Sequence, residues 1–279
     1  MSPQPVVAVV SGPTSGIGLQ IARDLGAMGA SLVLACRDAE RGQEVAAELR
    51  QQGAASATVM HLDAASAPSI EAFASACAKD LSRVDVLVNN AGVAHATRHV
   101  TDDGYELTFA TNVLGYHRLS LAMVEQLRAS APARIVNVAS TFAGDLDLDD
   151  LQFQTRPYDE LQAYAQSKAC NRLLTWALAR RLAGSGVTAN AMAPGFVPAT
   201  RLSRDLSPDL RRVYAGRSGR SLKEGADTAV WLAASPAMAG ITGRFFFDRR
   251  ERPCEFREGA LEERLWSLVT PATRPGGTW

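Results

Sequence analysis

Cysteine is scarce. Cys36, Cys77, Cys170 and Cys254 are four residues in 279, far apart, with no CxxC pair among them. That spacing excludes a disulfide framework and a zinc-ribbon type of site, and it favours a reducing compartment. Histidine is equally sparse. His61, His95, His99 and His117 make no HExxH pattern. His95 and His99 have helical spacing, but they lie in AGVAHATRHV, whose Gly92 and loop-like composition argue against a helix, so no metal is expected. Net charge is absent too: 29 basic residues meet 29 acidic ones, which removes the basic field a nucleic-acid partner requires. The arginine-dense run DRRERP at 248–253 reads as a solvated loop. No apolar run approaches the roughly 20 residues of a membrane span. The opening MSPQPVVAVVSG has neither the basic n-region nor the full apolar h-region of a signal peptide. The expectation is a cytoplasmic protein with no membrane and no nucleic-acid partner.

What is present is an ordinary globular composition, 47% hydrophobic and 21% charged. Short, β-branched, continuously apolar runs alternate with longer helical patterns. VVAVV (6–10), SLVLA (31–35), ATVMHL (57–62), VDVLVN (84–89), ARIVNVA (133–139), VTANAM (187–192) and GRFFF (243–247) read as seven strands. Helices are expected over about 17–28, 39–51, 68–81, 103–129, 161–183, 223–234 and 260–269. Strands buried on both faces, with helices between them, predict an α/β fold: a Rossmann-type, doubly wound parallel sheet flanked by helices on both faces. No linker divides the chain, so one dinucleotide-binding domain over 1–279 is expected. Irregular stretches at 141–160 and 194–222 are candidate substrate loops. The segment 254–279 is a helical extension that ends in a frayed tail, PATRPGGTW.

The first strand runs into SGPTSGIG (11–18) and then a helix. Gly12, Gly16 and Gly18 allow the tight turn and close backbone approach that a pyrophosphate at a helix N-terminus requires. Ser11, Thr14, Ser15 and Ile17 complete this candidate cofactor cradle. The second strand ends in ACRD. Arg37 stands where a carboxylate would accept from a ribose 2′-hydroxyl and a guanidinium would favour a 2′-phosphate, so NADP(H) is expected over NAD(H). Asp38, one step further, suits a helix cap. In LQAYAQSKACN, Tyr164 and Lys168 share a helical face, where an ammonium would lower the pKa of a phenol. Taken alone, such a pair is also ordinary helix surface.

These motifs resemble the short-chain dehydrogenases/reductases, in order, over roughly residues 6–250. SGPTSGIG resembles that family's TGxxxGxG turn, with Ser11 in place of Thr. NNAG (89–92), TNVLG (111–115), NVAS (137–140), YAQSK (164–168) and PG (194–195) follow. LVLACRD, DGYELTFATNVLG, DLDDLQF, AYAQSKACNRLL and GITGRFFFD further resemble the retinol-dehydrogenase-like and WW-domain-oxidoreductase-like branch.

The resemblance implies a ketoreductase-type oxidoreductase. It would interconvert a carbonyl and an alcohol on a fairly hydrophobic small molecule. Tyr164 would be the acid/base and Ser140 would bind the substrate oxygen. Lys168 would lower the Tyr164 pKa and bond the nicotinamide ribose, and Asn112 would hold a relay water. Asn90, Ala91, Gly92, Pro194, Gly195 and Val197 would line the cofactor, with Asp63 at its adenine or capping a turn, and Val113 at its adenine or in the core. Thr200 stands one place later than the family's usual Thr. Phe142, Phe153 and Tyr158 are candidate pocket walls or local core, and Phe196, Val197 and a helix near Leu206–Tyr214 a candidate lid. Homodimers or homotetramers would form through the helices near 105–129 and 161–183, unless the C-terminal segment blocks them. An epimerase or dehydratase with the same YxxxK and a non-catalytic NADP(H)-binding sensor are the competing readings.

Overall fold

The computed structural model describes residues 5–200, 202–254 and 256–273. Strands β1 (Val7–Ser11), β2 (Ser31–Cys36), β3 (Ser56–His61), β4 (Val86–Asn89), β5 (Ala133–Val138), β6 (Val187–Met192), β7 (Phe245–Phe247) and β8 (Arg250–Glu251) form one sheet in the order β3-β2-β1-β4-β5-β6-β7-β8. Every pairing is parallel except β7 with β8. The eighth strand was not expected. It is a charged two-residue edge, reached through Asp248 and Arg249, both with positive φ, and it carries no apolar pattern to reveal it.

The helices are α1 (Gly16–Ala27), α2 (Ala39–Gln51), α3 (Ala67–Asp80), α4 (Leu107–Phe109), α5 (Gly115–Ala122), α6 (Val124–Ala129), α7 (Glu160–Arg181), α8 (Pro208–Ala215), α9 (Leu222–Ala234) and α10 (Gly259–Thr273). Alternation along the strands divides the interior. Ala8 and Val10 face a core shared with α1, α2 and α9, whereas Val9 faces one shared with α3, α5, α7 and α10. α10 lies against α7, with Leu265, Trp266 and Val269 buried. Trp266 stacks under Arg181 at 3.9 Å and edge-on to His117 at 4.5 Å. Arg180 pairs with the buried Glu262. The tail expected to fray, PATRPGGTW (271–279), begins inside α10, which runs on to Thr273; residues 274–279 lie outside the described residues.

The single helix expected over 103–129 is broken. α4 passes into a π-helical turn, Ala110–Leu114, before α5 begins. One extra residue in a turn leaves the hydrophobic period almost unchanged, and such bulges recur at functional sites. This one holds Asn112. The crossovers reverse at β1: the chain goes from β1 to β2 and β3 on one side and to β4, β5 and β6 on the other. The crevice beyond the C-terminal ends of β1, β4 and β5 is the switch point where doubly wound folds bind ligands.

Candidate active site

The glycine turn closes the first strand. Gly12 and Gly16 have φ of +65° and +57°, a region that side chains rarely adopt. A Cβ on Gly18 would lie 2.2 Å from the Gly12 carbonyl oxygen, so α1 can approach β1 this closely only through glycine. Ser11, expected to face the cofactor, is 1% exposed and is a structural knot instead. Its Oγ accepts from the backbone N–H of Asn90 (2.9 Å) and Ala91 (3.1 Å) and donates to Val88 O. Asn90 replies through Nδ2, which donates to the carbonyls of Ser11 (2.9 Å) and Gly12 (3.3 Å). The ends of β1 and β4 therefore lock each other, with Gly92 following. Thr14 and Ser15 lie on the turn, and Ser15 stands at the start of α1 without a side-chain cap bond. Ile17 and Val197 are buried together; a Cβ on Gly225 would touch both at 2.7 Å. Gly195 has φ +74° and follows Pro194 beyond β6. Thr200 lies over the Gly16 turn and bonds Val197 O.

Arg37 is exposed at the end of β2 and pairs with no carboxylate among the described residues. Asp38 caps α2, accepting from Arg41 N at 2.9 Å. Asp63 turns into its own loop, Oδ1 accepting from Ala65 N at 3.0 Å. Val113, expected at the adenine, is fully buried in the core and lines no open surface, because the π-helical turn carries it inward.

Beyond β5, Ser140 is part-exposed and its Oγ accepts from Phe142 N at 3.0 Å. Tyr164 and Lys168 stand one turn apart on α7. Tyr164 keeps part of its surface open, but enclosure of its hydroxyl pushes the pKa up to about 12, against a hydrogen bond with Ser140 that pulls it down. Lys168 is 3% exposed and donates to Val138 O at 3.0 Å, a carbonyl that also accepts from Tyr116. Burial draws its ammonium down to about 7. The expected lowering of Tyr164 by Lys168 is thus not what governs these groups. Nζ stands 5.6 Å from the Tyr164 ring centroid, and desolvation moves the two pKa values toward neutral forms. Asn112 clamps the segment after β4: Oδ1 accepts from Val93 N, and Nδ2 donates to Val93 O and to Ser167 Oγ. A Cβ on Gly92 would stand 3.3 Å from Asn112 Oδ1 and 3.7 Å from Lys168 Nζ, so a glycine separates these two groups.

Other expected residues go elsewhere. Phe153 is 3% exposed, stacked on Tyr158 and under Arg156, a small core beneath the loop rather than a pocket wall. The Tyr158 hydroxyl bonds Glu106. Phe142 is 49% exposed. Phe196 stacks on Tyr214 of α8 at 5.4 Å. The reading missed a buried polar ladder: Asn89 donates to Asn137 Oδ1 (2.8 Å) and Ser120 Oγ (2.9 Å), and Asn137 donates to Thr175 Oγ1 (2.9 Å). Its signal was there, an asparagine in each of two largely apolar strands, Asn89 closing β4 in register with Asn137 of β5.

The cradle fits a dinucleotide. Gly12 closes the turn after β1, Gly16 and Gly18 stand in the first turn of α1, and that helix N-terminus carries no side-chain cap bond, so its N–H groups suit a pyrophosphate. Residues 6–211 match the family model for short chain dehydrogenase. Retinol dehydrogenase 13 of Homo sapiens is 37% identical over 93% of this chain and 82% of its own. A probable oxidoreductase of Streptomyces antibioticus is 37% identical over 96% and 97%. The solved Pseudomonas aeruginosa RhlG/NADP active-site complex superposes with a TM-score of 0.70 at 30% identity, over 86% of this chain and 93% of that one. The chain therefore belongs to the short-chain dehydrogenase/reductase family, in its retinol-dehydrogenase-like branch, and is an oxidoreductase.

Proposed function

We propose that the protein is an NADP(H)-dependent oxidoreductase interconverting a ketone or aldehyde and an alcohol on a fairly hydrophobic small molecule. One observation carries the reading: Ser140, Tyr164, Lys168 and Asn112, drawn from three separate chain segments, converge beside the glycine cradle at the switch point. When bound, the nicotinamide supplies the hydride for reduction or accepts it in oxidation.

Tyr164 does the proton work. A phenol held near 12 is fully protonated at neutral pH, the form that donates to a carbonyl oxygen gaining charge in reduction; in oxidation it takes the proton back. The Ser140 hydroxyl, beside that phenol, hydrogen-bonds the same substrate oxygen and orients it. Lys168, poised near 7, exchanges protons at working pH and resupplies Tyr164. Its path to solvent runs past Gly92 and Asn112, where a water can bridge Nζ and Oδ1. The turn residues Gly12, Thr14, Ser15, Gly16 and Gly18 would hold the pyrophosphate, and Ala91, Gly92, Pro194 and Gly195 would hold the nicotinamide half. Arg37 would take the 2′-phosphate: its guanidinium has no acidic partner among the described residues, while Asp38 is committed to its cap. The aromatic pair Phe196 and Tyr214, on the segment 194–222, lies close to Tyr164 and forms a lid over the mouth.

The test is NADPH consumption, followed by absorbance, against a panel of hydrophobic ketones, aldehydes and quinones. Tyr164→Phe should lose about 10²–10⁴-fold in kcat while NADPH still quenches protein fluorescence as in the wild type. Turnover that survives the substitution would refute the assignment.

A further inference from the structure

Arg172 lies one turn beyond Lys168 on α7 and is 6% exposed. Its guanidinium is stacked 3.8 Å from the Phe245 ring centroid and 5.4 Å from that of Phe256. No carboxylate pairs with it among the described residues, and its Nε meets no acceptor there. An uncompensated cation is costly to bury, and a methionine or leucine would fill a slot between two phenyl rings at lower cost. What the guanidinium does that a hydrocarbon cannot is donate. Nη2 bonds the main-chain carbonyl of Ser140, and Nη1 lies 4.0 Å from Cys254 Sγ.

That carbonyl stands at a weak point. The ladder from β5 to β6 closes at Ala139 N–H, which donates to Met192 O at 2.7 Å. Ser140 is the next residue, already outside the sheet, and the chain then enters the irregular stretch 141–160. A planar fork anchored on a 22-residue helix holds a carbonyl in one orientation better than a flexible ammonium would. We propose that Arg172 is a positioning residue for Ser140: wedged between β7 and the segment joining β8 to α10, it fixes the serine main chain against α7, so that the C-terminal segment shapes the active site from behind. This rests on the reading of Ser140 as the group that binds the substrate oxygen.

Two measurements on the full chain decide it. In hydrogen exchange followed by mass spectrometry, Arg172→Met should speed exchange in peptides spanning 139–143 by about tenfold or more, leaving α1 unchanged. Phe256→Ala should do the same more weakly. In steady-state kinetics, Arg172→Met should lower kcat by about tenfold with KM for NADPH unchanged, yet cost less than about twofold in a Ser140→Ala background, because a residue acting through Ser140 has nothing left to position. Arg172→Lys keeps charge and stem without the fork; it carries the same test if the methionine variant does not fold, with a kcat loss of about threefold. Unchanged exchange at 139–143 would overturn the proposal. So would equal losses in the two backgrounds, which would make Arg172 merely structural. If the wild-type protein reduces nothing in the panel, the functional reading fails by itself, and the exchange experiment still decides the clamp.

Discussion

Replacing Lys168 by methionine should stabilise the protein while abolishing turnover. Nζ is buried, and the ammonium has no carboxylate partner among the described residues; it meets the Val138 carbonyl and the faces of the Tyr116 and Tyr164 rings, whose centroids lie 5.2 and 5.6 Å away. Burial moves its pKa from 10.5 to about 7. The folded-state value is depressed, so the unfolded chain binds this proton more tightly, and protonation at fixed pH favours unfolding. Below pH 7 the full penalty applies, roughly 5 kcal/mol; at pH 7, where the folded group is half neutral, it is roughly 4; it fades to almost nothing near pH 10.5. Methionine has a similar length and no charge. Val138 O keeps the Tyr116 hydroxyl, so the lost hydrogen bond costs about 1 kcal/mol. The net expectation is a gain of about 3 kcal/mol at pH 7, or about 5–10 °C in Tm. Thermal and urea denaturation from pH 6 to pH 10, without added nucleotide, would read it. The advantage of the variant should shrink steadily as pH rises. A variant less stable than wild type at pH 7, or an advantage that does not change with pH, would refute the reasoning.

Two further expectations are simpler. Arg37→Ala should weaken NADPH binding by about 10–100-fold, the worth of a charge-assisted bond to phosphate, and leave NADH almost untouched; fluorescence titration at fixed ionic strength separates the two. His117 is enclosed by Trp266 and Thr270, and burial, reinforced by Arg181 and Arg118, pushes its imidazole down to about 3 from 6.5. Because that value is depressed, stability present at pH 7 is lost as pH falls below 6.5, so wild type should lose roughly 3 kcal/mol more than His117→Gln between pH 7 and pH 4 in urea titrations.

The sheet was legible because seven strands are short, mostly apolar runs rich in β-branched residues, a pattern that survives without knowing their neighbours. The turn SGPTSGIG and the pair Tyr164 and Lys168 were legible because their chemistry lies within one local segment. What the sequence hid depends on distance or on small breaks in period. Ser11 reads as a cofactor-facing residue until its partners Asn90 and Ala91 are seen. The π-helical turn at Asn112 shifts the helical period too little to register. Phe153 and Tyr158 are as apolar as any pocket wall, and only the fold shows them stacked on each other beneath the loop. Arg172 looks like the surface arginine of a helix, since nothing local announces Phe245, Phe256 or the Ser140 carbonyl.

The knot between Ser11 and Asn90 has a consequence for how the protein is made. Its hydrogen bonds join residues 79 apart in the chain, so the nucleotide cradle has no existence in the first βαβ segments alone. A chain emerging during synthesis can form β1, α1 and β2 and still lack the carbonyl orientations that Asn90 imposes on the glycine turn. Closing a loop of that length precedes any reward from the contact, the situation that slows folding in parallel sheets. If the turn is the nucleotide cradle, a nucleotide would engage only chains in which β4 has already docked beside β1. The cofactor would then act as an inspector of topology as well as a reagent, stabilising by mass action the molecules in which β4 has joined β1.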